Sequence, residues 1–190
     1  MPRLGVVIAS TREGRVGAPV AEWFMERARQ HGGFDVELID LKAVNLPMLS
    51  EPHHPRLKKH TQETTKAWSA TVDSLDAFVI VSPEYNFSSP PALVNALDHL
   101  YPEWNYKAAG LVTYGGVSGG LRAAQMTKLM LTAFKIVPMV EQVTVQFVAK
   151  LIEDGRFTAN ETHDKSATTM LDELLRWTNA LATLRKPVSA

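Results

Sequence analysis

The residues best suited to chemistry stand in one short stretch near the start of the chain. Residues 9–17 read Ala-Ser-Thr-Arg-Glu-Gly-Arg-Val-Gly and follow an apolar run at residues 4–8. A turn between a strand and a helix points backbone N–H groups and the positive end of the helix dipole at one spot. Hydroxyls of Ser10 and Thr11 and guanidinium groups of Arg12 and Arg15 add donors suited to a phosphate. The stretch predicts a bound phosphate, with a plain turn carrying two solvated arginines as the alternative.

The glycine spacing of this stretch differs from that of two common nucleotide-binding loops. No Gly-Lys-Ser or Gly-Lys-Thr follows, as a Walker A loop requires. The glycines at positions 14 and 17 do not fit Gly-x-Gly-x-x-Gly either, which disfavours an ordinary dinucleotide site. The predicted phosphate site therefore belongs to another class of turn.

Two later loops add polar and glycine-rich sequence. They read Pro-Glu-Tyr-Asn-Phe-Ser-Ser-Pro-Pro at 83–91 and Tyr-Gly-Gly-Val-Ser-Gly-Gly at 114–120, each after an apolar run. In open α/β sheets, ligands bind outside the carboxyl ends of the strands, where these loops and the 10–17 turn would meet. A phosphate cradle, an aromatic side chain and a glycine-rich floor together suit a flat heteroaromatic molecule with a phosphate tail. The irregular segment 44–56 is expected beside the same crevice.

These loops need a sheet to position them, and the pattern along the chain predicts one. Continuous apolar runs alternate with segments of helical period, which is typical of parallel strands covered on both faces. Five strand–helix units predict a doubly wound α/β fold in one domain over residues 1–190, and the flavodoxin-like three-layer sandwich with order 2-1-3-4-5 is favoured over half of a Rossmann fold. Strands are predicted at 4–9, 35–41, 77–82, 108–113 and 141–148, and helices at 16–31, 57–75, 90–100, 119–136 and 164–185.

Composition narrows the class of protein. The 190 residues include 20 Lys and Arg and 20 Asp and Glu, and this balance argues against nucleic acid as a partner. The absence of cysteine excludes a disulfide framework and a cysteine nucleophile. No apolar stretch approaches the ~20 residues that span a bilayer, and the first residues lead into a strand without a signal-peptide pattern. We therefore expect a cytoplasmic protein without a membrane partner.

Three motifs in order along the chain resemble the NADPH-dependent FMN reductase family. They are the stretch at 9–17, Pro-Glu-Tyr-Asn with the later Asn-Ala-Leu-Asp at 95–98, and Tyr-Gly-Gly-Val-Ser-Gly-Gly. The resemblance covers residues 4 to about 148. It implies a flavodoxin-like fold, tightly bound FMN, NADPH or NADH as co-substrate, and a homodimer or homotetramer.

The resemblance also implies residue roles. The turn would hold the FMN phosphate, the second loop would border the ribityl chain and ring, and the glycine loop would offer N–H groups to the pyrimidine edge. From its residue type alone, Glu84 fits a turn or helix-cap carboxylate as well as it fits a contact to the ring. The chain departs from the family at Phe87, where relatives often have Gly or a polar residue, and at Ser89-Pro90, in place of Tyr-Pro. The implied cofactor-binding residues are Ser10, Thr11, Arg12, Arg15, Val16, Gly17, Pro83, Glu84, Tyr85, Asn86, Tyr114, Gly115 and Gly116.

The implied reaction passes hydride from a nicotinamide to bound FMN and then to a small acceptor. The cofactors carry this chemistry, so no catalytic acid or base is predicted. The acceptor is left open among flavins, quinones, azo or nitro compounds and metal oxyanions. NADPH in preference to NADH is an expectation from the family alone.

Two other functions are alternatives. Gly-Val-Ser-Gly-Gly at 116–120 fits the nucleophile motif Gly-x-Ser-x-Gly, and Asp154 and His163 follow Ser118 in the order of a serine hydrolase. His163 is expected in a polar loop just before a helix. The other alternative is a non-catalytic flavin-binding protein.

The expectation of an oligomer also has support in the residues. Apolar side chains, among them the Met and aromatic types that are enriched at interfaces, are concentrated in the 119–136 helix and its surroundings. They are Met126, Met130, Leu131, Phe134 and Met139, with Tyr101, Pro102, Trp104 and Tyr106 before strand four. His99 is expected as a solvated helix terminus, and His53 and His54 as a solvated loop pair, so no metal site is predicted.

Overall fold

The computed structural model describes residues 1–185 and contains a five-stranded parallel sheet. The strands lie in the order β2-β1-β3-β4-β5, which confirms the predicted flavodoxin-like topology. Every residue of β3 and β4 is buried, as expected of central parallel strands covered on both faces. The strands are β1 (Arg3–Ile8), β2 (Asp35–Asp40), β3 (Ala77–Pro83), β4 (Ala108–Tyr114) and β5 (Val137–Val145).

Helices cover both faces of this sheet. Helices α1 and α6 pack on one face around Phe24 and Met170, and α3, α4 and α5 pack on the other around Trp68 and Leu131. None of the helices within residues 1–185 is long and apolar enough to cross a membrane. The helices are α1 (Gly17–His31), α2 (Leu41–Val44), α3 (Glu63–Asp73), α4 (Pro91–Asp98), α5 (Leu121–Ala133) and α6 (Glu161–Leu181).

The starts of two elements differ most from the prediction. Strand β5 begins at Val137 instead of residue 141, because an edge strand accommodates Pro138 without losing a ladder hydrogen bond. Helix α3 begins at Glu63 instead of residue 57, since Lys58 adopts a left-handed conformation that ends a short 3-10 turn. Helix α2 and a small hairpin of β6 (Ile152–Glu153) and β7 (Arg156–Phe157) were not predicted.

Two histidines lie in places that the sequence analysis did not predict. His163 is a buried residue of the first turn of α6, because its ring and the side chain of Asn160 form a reciprocal capping box. His99 is fully buried: its Nε2 donates to the carbonyl of Pro47 at 3.0 Å, and its Nδ1 lies 3.2 Å from the hydroxyl of Thr65. The prediction of a solvated His99 is wrong because the 45–54 segment covers this end of α4.

Candidate functional site

The turn between β1 and α1 presents unpaired backbone donors. No hydrogen bond joins the N–H groups of residues 10–16 to an acceptor within residues 1–185. Helix α1 has no side-chain cap and no acidic residue in its first turn. Residues 11–14 are exposed, and Gly14 adopts the left-handed conformation at φ 66°. An uncapped helix with free N–H groups at its start attracts an anion, so this observation fits the predicted phosphate site.

Arg15 is bound by protein groups on the inner side of this turn. Its guanidinium makes a bidentate ion pair with Asp40 and donates to the carbonyl of Ser10 at 2.5 Å. The hydrogen bonds from Arg15 hold the pKa of Asp40 below its usual range, despite partial burial of the carboxyl. Asp40 was missed in the sequence analysis, although its place at the carboxyl end of β2 beside β1 puts it at the crevice edge.

Ser10 and Tyr114 lie beneath the turn instead of in its open face. Both residues are buried, and their hydroxyl oxygens are 3.2 Å apart. Burial raises the pKa of Tyr114 to about 12. A Cβ at Gly17 would come within 2.6 Å of the Tyr114 hydroxyl and 2.9 Å of Ser10 Oγ, so the first position of α1 requires glycine. These three residues position the turn from below.

The second loop turns sharply just after β3. The backbone N–H of Tyr85 donates to the carbonyl of Ser88 at 2.9 Å, and the reverse bond measures 3.0 Å. Asn86 and Phe87 form the corner with φ of 51° and 71°. The guanidinium of Arg12 lies 5.9 Å from the centre of the Tyr85 ring, so the first and second loops meet here as predicted.

Glu84 connects the second loop to the glycine loop. Its carboxylate pairs with Arg122, accepting from Nε at 2.7 Å, and accepts from the hydroxyl of Ser118 at 3.1 Å. It also accepts from the backbone N–H of Arg122 at 3.2 Å, at the start of α5. Burial alone would raise the pKa of Glu84, but the hydrogen bonds from Arg122, Ser118 and the backbone of Ala123 lower it. Glu84 therefore acts as a cap of α5, which was one of its two predicted roles.

Only one of the two predicted glycine N–H groups is unpaired. The N–H of Gly115 donates to the carbonyl of Val145 at 3.2 Å, so it already has a protein acceptor. The N–H of Gly116 has no acceptor within residues 1–185, and a Cβ placed there would meet nothing within 4 Å. The open part of this loop is therefore at Gly116.

Ser118 has none of the surroundings of a serine nucleophile. Its hydroxyl donates to Glu84 and lies 3.1 Å from Arg122, and His163 instead caps α6. Ser118 does not adopt the strained conformation of a nucleophile elbow, since the left-handed residues here are Gly119 and Gly120. The structure does not bring the proposed hydrolase residues together.

The 44–56 segment borders the crevice as expected. The side chain of Asn95 fixes it, accepting from the N–H of Leu49 and donating to the carbonyl of Pro47, each at 2.9 Å. An open cleft of about 420 Å³ lies between this segment, the 10–17 turn and the start of α4. Asn95 belongs to the second of the three family motifs, in its part Asn-Ala-Leu-Asp, and its side chain holds a wall of the crevice.

Comparison with known families accounts for this arrangement. The NADPH-dependent FMN reductase family matches residues 2–150, a range that contains all three loops. The chain belongs to the NADPH-dependent FMN reductase family. As a member of this family it is an oxidoreductase, with FMN as cofactor and NAD(P)H as reductant.

Relatives and solved structures agree with this assignment. An NAD(P)H-dependent FMN reductase of Schizosaccharomyces pombe is 42% identical over 127 residues, which are 66% of this family member and 64% of the relative. An NAD(P)H-dependent FMN reductase of a Nectria species is 30% identical over 155 residues, 78% and 77% of the two chains. The flavoenzyme FerB of Paracoccus denitrificans has the same fold, with a TM-score of 0.76 at 22% identity over 95% and 98% of the two chains.

Proposed function

We propose that this protein passes hydride from NAD(P)H by way of bound FMN to a small organic acceptor, and that FMN lies across the three loops. The observation that carries this proposal is the uncapped start of α1 with its free N–H groups, together with the unpaired N–H of Gly116 in the third loop. A phosphate fits the first feature, and a planar ring with an acceptor edge fits the second.

The residues of the 10–17 turn would contribute to phosphate binding in different ways. The backbone N–H groups, the hydroxyl of Thr11 and the guanidinium of Arg12 face the open side and supply donors. Arg15 adds positive charge that Asp40 partly balances. Val16 and Gly17 begin α1, while Ser10 and Tyr114 support the turn from below.

The other two loops would hold the ring. FMN, when bound, supplies the hydride-accepting centre. Pro83, Tyr85 and Asn86 form one side of its site, and the N–H of Gly116 supplies a donor where negative charge develops on reduction. Glu84 and Gly115 act indirectly, since their polar groups already bind protein partners and so fix the loops.

We further propose a homodimer or homotetramer in the cytoplasm, with the crevice near the subunit interface. The support is a set of apolar side chains on the surface of α5 and β5, namely Leu121, Met126, Leu129 and Val140. Four of the apolar side chains that the sequence suggested for the interface are instead buried in the core of a single chain, namely Leu131, Phe134, Met139 and Trp104. A cysteine-free chain is compatible with a reducing compartment, and cell fractionation tests the location.

The decisive experiment is an absorbance spectrum of the purified protein. We expect a yellow protein that releases FMN, and not FAD, on denaturation. Anaerobic addition of NADPH or NADH is expected to bleach the flavin bands in one two-electron step. A colourless protein that does not bind added FMN would contradict the proposal. A yellow protein that neither nucleotide bleaches would favour the non-catalytic flavin-binding alternative.

A further inference from the structure

Phe87 adopts a backbone conformation that its side chain disfavours. Its φ of 71° lies in the left-handed region, which costs conformational energy for every residue except glycine and, to a lesser extent, Asn and Asp. The preceding corner residue, Asn86, is of a type that tolerates this region. Strained residues persist where the surrounding structure holds them, and they are concentrated at functional sites.

The phenyl ring of Phe87 makes no contribution to the core. The residue is 62% exposed, and the guanidinium of Arg122 lies 4.1 Å from the ring centre. Arg122 is itself fixed by the carboxylate of Glu84 and the hydroxyl of Ser118. A cation therefore covers one face of the ring and leaves most of the side chain open to solvent.

The phenyl ring of Phe87 belongs to the loop that borders the proposed flavin site. Phe87 follows Tyr85 and Asn86 in the loop that borders the site, and Arg122 stands in the first turn of α5, directly after the glycine loop. The ring thus stands between the second and third loops. Since Glu84 neutralises Arg122, the wall that they form with Phe87 is aromatic and carries no net charge. Such a wall favours planar aromatic molecules over metal oxyanions.

We propose that Phe87 determines acceptor specificity, by stacking against a planar aromatic acceptor such as a quinone or a free flavin. This inference rests on the proposed function of the three loops. The proposed role explains the strain, because the loop keeps an aromatic side chain at a corner where glycine would adopt the same φ at lower conformational cost.

The test compares two acceptors in variants of Phe87. The probes are menadione, which is planar and aromatic, and ferricyanide, which is neither. In Phe87→Leu, which keeps the bulk and the strain, the ratio of kcat/KM for menadione to that for ferricyanide is expected to fall about three- to tenfold, the range of a lost aromatic contact. Phe87→Tyr is expected to keep the ratio within about twofold. An unchanged ratio in Phe87→Leu would overturn the proposal.

Phe87→Gly separates a specificity role from a structural one. Glycine relieves the strain at φ 71°, so the melting temperature is expected to stay the same or rise while the acceptor ratio falls. A fall in melting temperature of several degrees would show that the ring serves stability, and would overturn the proposal.

Phe147 offers a matched control. It is 48% exposed, has a φ of 48°, and carries the Lys150 ammonium 5.3 Å from its ring centre. Phe147→Leu is expected to leave the acceptor ratio unchanged, and an equal fall in both variants would overturn the proposal in favour of a general loosening of the loops. Anaerobic bleaching by NADPH in the parent tests the proposed function separately. Bleaching with an unchanged ratio in Phe87→Leu means that only the acceptor inference has failed.

Discussion

The two arginines of the β1–α1 turn differ in what already binds them. Arg15 is paired with Asp40 and holds the carbonyl of Ser10, so much of its hydrogen-bonding capacity serves the turn itself. Arg12 is exposed and contacts the Tyr85 ring. Under the proposed function both side chains would offer charge to a dianionic phosphate, whereas within residues 1–185 only Arg15 of the two forms an ion pair with a protein carboxylate.

Replacing each arginine by alanine separates these roles. We expect Arg12→Ala and Arg15→Ala each to weaken FMN binding by about 1.5–3 kcal/mol, the range for a hydrogen bond to a charged group. Riboflavin lacks the phosphate and is expected to bind the parent and both variants almost equally. Fluorescence titration of the apoprotein measures both affinities. If riboflavin binding fell as much as FMN binding, the altered arginine would not be a phosphate ligand.

Arg12→Ala and Arg15→Ala are expected to differ in the stability of the apoprotein. Arg15→Ala leaves Asp40 without its bidentate partner and is expected to lower the free energy of unfolding by about 1–2 kcal/mol. Arg12→Ala, which breaks no ion pair within residues 1–185, is expected to change it by less than about 0.5 kcal/mol. Urea unfolding at neutral pH measures the difference, and equal losses would contradict the assigned role of the Asp40 pair.

At the scale of elements, the helices differ in how their N-termini are capped. Helix α5 is capped by Glu84 and α6 by Asn160 and His163, whereas α1 starts without a cap. A capping side chain on α1 would occupy the donors that the proposed phosphate needs. The turn before α1 is instead supported from below by Ser10 and Tyr114.

Gly17→Ala tests this support. The new Cβ would lie 2.6 Å from the Tyr114 hydroxyl and 2.9 Å from Ser10 Oγ, so the turn must shift. We expect a loss of about 1–3 kcal/mol in the free energy of unfolding, as for overpacking elsewhere, together with weaker FMN binding. Tyr114→Phe removes the closer of the two atoms, so the double variant is expected to recover part of the loss. A double variant no better than Gly17→Ala would refute the clash as the cause.

The start of α3 depends on a carboxylate and therefore on pH. Glu51 accepts from the N–H and hydroxyl of Thr61 and from the N–H of Gln62. Burial opposes ionisation, but these bonds lower the pKa of Glu51 from 4.5 to about 2. The depressed pKa means that Glu51 contributes stability above pH 4.5, and that this contribution is lost as the pH falls toward 2.

Glu51→Gln is expected to reduce the free energy of unfolding by about 1 kcal/mol at pH 7. The difference from the parent is expected to shrink between pH 4.5 and pH 2, because the parent carboxyl is protonated over that interval. Glu63→Gln, at the exposed first position of the same helix, is the control and is expected to show a smaller effect. Urea unfolding over this pH range measures both. A difference that stays constant with pH would contradict the role of the charge.

At the scale of the whole molecule, two properties favour self-association. A formal net charge of zero provides no overall electrostatic repulsion between copies. Leu129 on α5 and Val140 on edge strand β5 are 70% and 83% exposed, and Lys128 joins the two elements by donating to the carbonyl of Val140 at 3.0 Å. Exposed apolar side chains on adjoining elements are typical of an interface.

Leu129→Glu is therefore expected to dissociate the proposed oligomer without unfolding the chain, because the new carboxylate is solvated in the monomer and unpaired in an interface. Light scattering measures the mass, and circular dichroism checks the fold. Leu57→Glu, at another exposed leucine, is the control and is expected to leave the oligomer intact. A parent that is monomeric at micromolar concentration would refute the oligomer, and loss of FMN from the dissociated variant would place the interface at the cofactor site.

The sequence by itself determined where the central strands and the three loops lie, because apolar runs of strand length and glycine-rich turns are local features. The strands predicted at 4–9 and 77–82 could be recognised as buried without knowing their neighbours, and the structure has them at Arg3–Ile8 and Ala77–Pro83. The start of the edge strand was harder to predict. Strand β5 was predicted to begin four residues late, because proline lacks an N–H and the effect of Pro138 depends on whether a neighbouring strand requires a donor at that position.

Only the tertiary structure decided which polar groups have partners. Arg15 and Asp40 are 25 residues apart, and Glu84 and Arg122 are 38 apart, so their pairing depends on how the strand ends converge. The same convergence pairs the N–H of Gly115 with the carbonyl of Val145 and leaves the N–H of Gly116 without an acceptor within residues 1–185. Residue types indicate which groups can bind a ligand. Which of them are free to do so follows from distances that only packing sets.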